Sequence, residues 1–239
     1  MIFLTVFNIF LLKNIISKKI NKDFFGKLDE WSYICCVLKK NMSKTLKHDI
    51  KADFLLDKGI ELLWAKGYNA TSVNDIVKLA EIPKGSFYFY FDSKEDFAVQ
   101  AIEKYFNKQF VPAFEVLQNT SMSPKERLFA FYNFRATTLE EELKCKMGCL
   151  GCNLANEVAE HSEAIRNVIA AKGAMIKTHI AKVIKEAQDL GEIKNSMLAR
   201  DLAEFIEDAG KGAMTTMKEM NDAYPIHNFT KMVTTVLLV

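Results

Sequence analysis

The stretch "KCKMGCLGCN", residues 144–153, carries three thiols, Cys145, Cys149 and Cys152, together with Lys144 and Lys146. Cys149 and Cys152 form a C-x-x-C pair where a helix is predicted to begin. Helix N-terminal amides and nearby lysines favour thiolate over thiol, and the thiolate is the form that attacks electrophiles and oxidants. Three readings of the cluster are open. A zinc site needs a fourth ligand, for which only His161 lies downstream. Buried thiols can also serve as small apolar side chains. A redox or electrophile sensor would use Cys149 and Cys152. An enzyme of the thiol-oxidoreductase class would use the same pair, but the βαβ context of that motif is missing. No glycine-rich phosphate loop, paired-histidine metal motif or nucleophile elbow appears, so no catalytic residue, cofactor or metal is expected. Five cysteines in all, with Cys35 and Cys36 adjacent, do not make a secreted disulfide framework and point to a reducing cytoplasm.

The elements that position this chemistry are helical. The chain has 239 residues, 49% of them hydrophobic, and only four prolines and ten glycines. Apolar residues recur three or four apart almost throughout, which predicts an all-α fold. Ile50, Phe54, Leu55, Ile60, Leu62, Leu63 and Trp64 line a first helix, closed at Gly67. Ser72 and Asp75 have capping-box spacing for a second. Pro83 suits the first position of a third, which carries the aromatic run from Phe87 to Phe91. Asp92 or Ser93 caps a long fourth helix, with Ser93 and Asp96 at box spacing and an interruption or kink near Pro112. Ser123 and Pro124 start the next, and helices follow over about 124–143, 148–159, 162–190, 196–220 and 225 to the end.

The N-terminal "MIFLTVFNIFLL" is too short to span a bilayer and lacks the flanks of a signal peptide. A weak anchor, a targeting remnant or sequence upstream of the true start are its three readings. We expect the last, with residues 1–41 preceding a start at Met42, residues 42–104 forming one domain, residues 105–239 a second, and no membrane partner.

Three short helices, the last two joined by a tight turn, are the organisation of a helix-turn-helix. Phe87 and Phe91, four apart, are expected to bury against the first helix, while Lys84, Gly85, Ser86 and Tyr88 face outward. Lys94 and the N-terminal amides of the fourth helix can hold a phosphate. Residues 44–104 contain nine lysines, no arginine and ten acids. The basic footprint of a DNA binder therefore rests on placement, through Lys84, Lys94 and an arm of Lys39, Lys40, Lys44, Lys47, His48 and Lys51. Asp53, Asp57 and Glu61 fall on a different, solvated face.

The segment "GYNATSVNDIVKLAEIPKGSFYFYFDSKEDF" resembles the DNA-binding domain of the TetR family of bacterial transcriptional regulators. That resemblance covers about Lys47 to Lys104 and implies that Thr71, Lys84, Ser86, Tyr88, Tyr90 and Lys94 touch double-stranded DNA. Lys47, Ser72 and Gly85 complete the expected DNA-facing set. It further implies a C-terminal domain that binds a small effector and pairs two subunits through a four-helix bundle. Phe205, Ala209, Gly212, Ala213 and Met217 supply a stripe for that homodimer contact, the alternative being that the stripe packs inside one subunit. "GCLGCNLANEVAEHSEAIR" is similar to the corresponding stretch of the N-ethylmaleimide reductase repressor group, which responds to reactive chlorine species, quinones and aldehydes through the cysteine matching Cys149. That group pairs its sensor with a lysine in the penultimate helix, where this chain has Met214 or Thr215. Cys152 and Cys145 are additions able to resolve an oxidised Cys149 as a disulfide. The resemblance thus implies a repressor released by an electrophile, an oxidant or a noncovalent apolar ligand.

Overall fold

The computed structural model describes residues 48–239, and the expectations for residues 1–41 and for Lys47 lie outside them. Every regular element among the described residues is a helix. Helix α1, residues 48–66, ends at Gly67, whose φ of +82° is left-handed. Ser72 caps α2 (Val73–Leu79) in a closed capping box with Asp75. Helix α3 (Lys84–Phe87) is a single turn, with Pro83 one residue earlier than expected, at the N-cap. The Ser93 hydroxyl caps α4 (Lys94–Gln118) by accepting from the Asp96 amide, but the Asp96 carboxylate accepts from the Asp92 amide, so this box does not close on Ser93. The expected interruption at Pro112 does not occur. Proline sits on an exposed face of a continuous helix, where the carbonyl deprived of its partner can be hydrated.

Helix α5 (Pro124–Thr137) starts at a closed Ser123–Glu126 capping box and widens into a π turn at Thr138–Glu142. Helices α6 (Leu150–Val158), α7 (Glu163–Asp189), α8 (Ala199–Met220) and α9 (Tyr224–Met232) follow. Helix α4 packs on α5 and α7, α7 on α8, and α8 on α9, while α6 lies against α7 and α4. Residues Ala52–Val239 make one compact unit.

The long α4 links the helix-turn-helix to the helices behind it through buried residues that include Phe97, Ile102, Tyr105, Phe106, Phe110 and Leu117. At its N-terminal end Phe97 meets Phe87 and Phe91, with ring centroids 5.5 and 4.9 Å away. These rings hold α3 in place. Lys104, further along α4, pairs with Asp53 and Asp57 at 2.8 Å each, so these two acids anchor α1 rather than only face solvent. Of the apolar residues expected to line α1, Leu55, Ile60 and Leu63 are buried, whereas Ile50 and Phe54 are exposed.

Close approach of α1 to α4 depends on Gly59. A methyl group there would lie 1.9 Å from Phe97 Cζ, and Phe97 is fully buried. Gly59→Ala should therefore destabilise the protein by about 3 kcal/mol through overpacking. Urea unfolding at fixed protein concentration checks this, and adding Phe97→Leu should recover part of the loss.

Candidate functional site

Two sites emerge, one on each side of α4. On the first, the backbone of α3 leads with Lys84 and Gly85, both exposed. A Cβ at Gly85 would meet nothing within 4 Å, so no contact inside the protein requires glycine there, and close approach by a partner remains open. Tyr88 is 56% and Phe89 63% exposed, while Ser86 and Tyr90 are half-buried. Tyr88, Lys84, Gly85 and Ser72 thus present atoms to solvent. Thr71 does not: it is fully buried, and its hydroxyl donates to the Gly67 carbonyl at 2.7 Å. Its work is to hold the turn between α1 and α2. Lys94 is half-buried, with its ammonium 4.1 Å from the centre of the Tyr68 ring. Burial lowers its pKa, while Glu157 and Asp75 oppose that shift.

The second site surrounds Cys149. Between the π turn and α6 the chain reverses through three left-handed residues, Lys144, Cys145 and Gly148, at φ of 50°, 58° and 61°. The two that are not glycine cost about 1–2 kcal/mol each. The reversal puts Cys149 at the N-cap of α6, without a side-chain cap hydrogen bond of full geometry. Its environment nevertheless favours the thiolate. The Cys152 thiol has the largest effect, and the Cys152 amide, the Tyr105 hydroxyl and the Gly151 amide add to it. Together they outweigh burial and lower the Cys149 pKa to about 6. The same contact, with burial, raises the pKa of Cys152. The contact thus favours ionisation at Cys149 over Cys152. Lys144 and Lys146, expected to assist, are exposed. Cys145 lies in a neighbouring apolar cluster with Ala136, Met214, Met217 and Ile226, and burial raises its pKa. Gly151 is needed because a methyl there would press on the Phe106 ring at 2.9 Å.

Cys149 lines two adjoining pockets. One is bounded by Tyr105, Phe110, Phe134, Arg135 and Met214. The other shares Phe110, Arg135 and Met214 and adds Cys152, Glu207 and Lys211. Arg135 pairs with Glu207 at 2.6 Å and lies against the Phe110 and Phe131 rings. Lys211 and Glu207 are pocket residues that the sequence reading missed. Lys211 falls three positions before Met214, one turn away on the same helix, and its ammonium bonds Asp208 at 2.8 Å. Among the described residues no group of three or more His, Cys, Asp or Glu is placed to hold a metal ion.

On α8 the expected dimer stripe divides. Phe205, at 59% exposed, Ala209 and Gly212 face outward and Ala213 is half-buried. Met217 is fully buried inside its own subunit, so it leaves the stripe, and the exposed Met220 lies eight residues beyond Gly212 on the outward side.

A thiolate of this kind makes a direct prediction. The rate of iodoacetamide labelling of Cys149, read by mass spectrometry of its peptide, should rise through about pH 6 and level off above neutrality. Tyr105→Phe removes one donor to the thiolate and should move the inflection to higher pH. A rate still climbing at pH 8.5, as for an ordinary thiol, would show that the donors do not act.

Comparison with known proteins agrees with this geometry. The family description "Bacterial regulatory proteins, tetR family" matches residues 55–101, and "Tetracyclin repressor-like, C-terminal domain" matches residues 124–233. The HTH-type transcriptional repressor DhaR of Mycobacterium sp. (strain GP1) is 30% identical over 77% of this chain and 90% of its own. The HTH-type transcriptional repressor NemR of Escherichia coli K12 is 34% identical over 56% of this chain and 65% of its own. A crystal structure of a regulatory protein TetR from Rhodobacter sphaeroides superposes with a TM-score of 0.70 at 29% identity, covering 76% of this chain and 96% of that one. No helix among the described residues is long and apolar enough to cross a membrane. With both halves of the fold matched and relatives aligned across most of their length, the chain belongs to the TetR family of bacterial regulatory proteins, and it is a transcriptional regulator rather than an enzyme.

Proposed function

We propose that this regulator is a cytoplasmic homodimeric repressor that holds a near-palindromic operator with two α3 helices and releases it when Cys149 reacts with an electrophile or oxidant. The observation that carries the reading is the position of Cys149, at the head of α6 beside Cys152 and on the wall shared by two pockets. Toward a maleimide or quinone, the sulfur attacks the electron-poor alkene carbon and an S–C bond forms. The alkene electron pair moves onto the carbon next to the carbonyl, which takes a proton from water. Toward a hypochlorite-class oxidant, Cys149 becomes a sulfenic acid, and the neighbouring Cys152 thiol can displace water to give a disulfide. The apolar rings of Phe110 and Phe134 beside Met214 favour a second reading, a noncovalent apolar ligand in the same space. Two relatives named as repressors support repression over activation. The outward Phe205, Ala209 and Gly212 support pairing through α8.

Release needs only that the modified protein favour a spacing of the two α3 helices that mismatches the half-sites. A coupling of about 1–3 kcal/mol lowers affinity roughly 5- to 150-fold.

Gel-shift binding to DNA flanking its own gene, with thiols reduced and again after N-ethylmaleimide, tests the sensor. Binding should be tight when reduced and lost on treatment, and Cys149→Ser should retain it. Binding indifferent to the reagent would return the cysteines to a packing role and favour the noncovalent ligand. For the DNA face, Lys84→Ala should weaken binding to all sequences alike and reduce the slope of log affinity against log salt by about one.

A further inference from the structure

We infer that Glu157 is a positioning residue for DNA binding, whose carboxylate fastens the α1–α2 turn to the sensor helix α6 and so carries the state of Cys149 to the DNA-facing lysine. Glu157 lies on the last turn of α6, and its two oxygens each take one backbone amide of the helix-turn-helix. Oε2 accepts from Tyr68 at 2.7 Å and Oε1 from Asn69 at 2.6 Å. Two short bonds to a carboxylate are charge-assisted, and a bidentate acceptor fixes direction as well as distance. Gly67 is shaped for this contact: a Cβ on it would lie 2.5 Å from Oε2, and its φ is left-handed. The fastened turn presents the Tyr68 ring, over which Lys94 lies, and Glu157 adds its own field at that ammonium.

At the opposite end of the same helix stands Cys149. Nine helical residues make a stiff rod of about 13 Å, so displacement of one end moves the other. Two more contacts border the rod. The Met147 carbonyl, just before Cys149, accepts from the Trp64 indole at 3.0 Å, and the Ser162 hydroxyl, just after α6, donates to Glu95 on the first turn of α4. Segment 147–162 therefore grips the helix-turn-helix at three points, and Glu157 is the only carboxylate in the segment that accepts two of its backbone amides. A group added at Cys149 sits at the head of α6, where Gly151 already lies against the buried Phe106 ring, and a shift of α6 to accommodate it would draw Glu157 off the turn.

Transmission from Cys149 rests on the sensor reading above, whereas the need for the clamp in DNA binding does not. Glu157→Gln tests both. Glutamine keeps the size but has one acceptor for two amide donors and turns a donor toward the second. Binding to DNA flanking the protein's own gene is measured with thiols reduced and after N-ethylmaleimide, alongside thermal melting. Reduced E157Q should bind roughly tenfold more weakly than the parent with a near-parental melting midpoint, and its further loss on alkylation should be smaller than the parent's. Parental affinity in reduced E157Q overturns the positioning role. A parent that ignores N-ethylmaleimide overturns the Cys149 reading while leaving that comparison intact. Should E157Q fold poorly, hydrogen exchange in the parent decides the matter. Tyr68 and Asn69 amides protected when reduced and exposed after alkylation support the clamp, and protection unchanged while DNA is released overturns it.

Discussion

Phe97, Tyr105, Phe106 and Phe110 are all buried along α4, and each ring has a different task. Phe97 holds Phe87 and Phe91, and with them the only turn of α3. Tyr105 donates toward the Cys149 sulfur and meets the Trp64 ring edge-on at 5.0 Å. Phe106 stacks on Phe110 at 5.2 Å and sets the space that Gly151 must respect. Phe110 lies beneath the Arg135 guanidinium. Close packing lets a rigid helix register these contacts against each other, because buried rings leave little volume for independent movement. The DNA-facing turn and the pocket are thus two ends of one core.

Electrostatics in the pocket obey the same constraint. A thiolate partly shielded from water needs compensation, and around Cys149 the groups that favour it are donors rather than a paired cation: a neighbouring thiol, a phenol and two amides. An ion pair on the pocket wall, Arg135 with Glu207, is committed to joining α5 to α8. Removing either partner would strand a buried charge at a cost of about 3–5 kcal/mol, so this pair is a fixed wall rather than a free ligand group. Cys149 stands outside that pair, and the fold places it where α6 begins.

Much of this was legible from local rules. The capping box at Ser72 formed as spaced and Ser123 starts its helix, whereas the box spaced at Ser93 does not close because Asp96 accepts from the Asp92 amide instead. Phe87 and Phe91 buried as their four-residue separation required. The misreadings share a different cause. Thr71 and Met217 sit at positions compatible with an outward role, yet the Thr71 hydroxyl turns inward to the Gly67 carbonyl and Met217 packs in a cluster with Ala136 and Cys145. Pro112 was taken as a breaker because proline removes an amide, but the penalty depends on whether solvent reaches the freed carbonyl, and here it faces outward.

The chain by itself determined the all-helical fold, the capped start of α2 and the family, because periodicity, capping and motif spacing are properties of neighbouring residues. Tertiary structure decided what surrounds each thiol, which residues wall the pocket and what joins α6 to the α1–α2 turn. Glu157 lies within "GCLGCNLANEV", and no spacing along the chain reveals that its carboxylate meets the amides of Tyr68 and Asn69. Such contacts arise only when packed helices bring distant segments together, and their energies depend on the burial that the same packing creates.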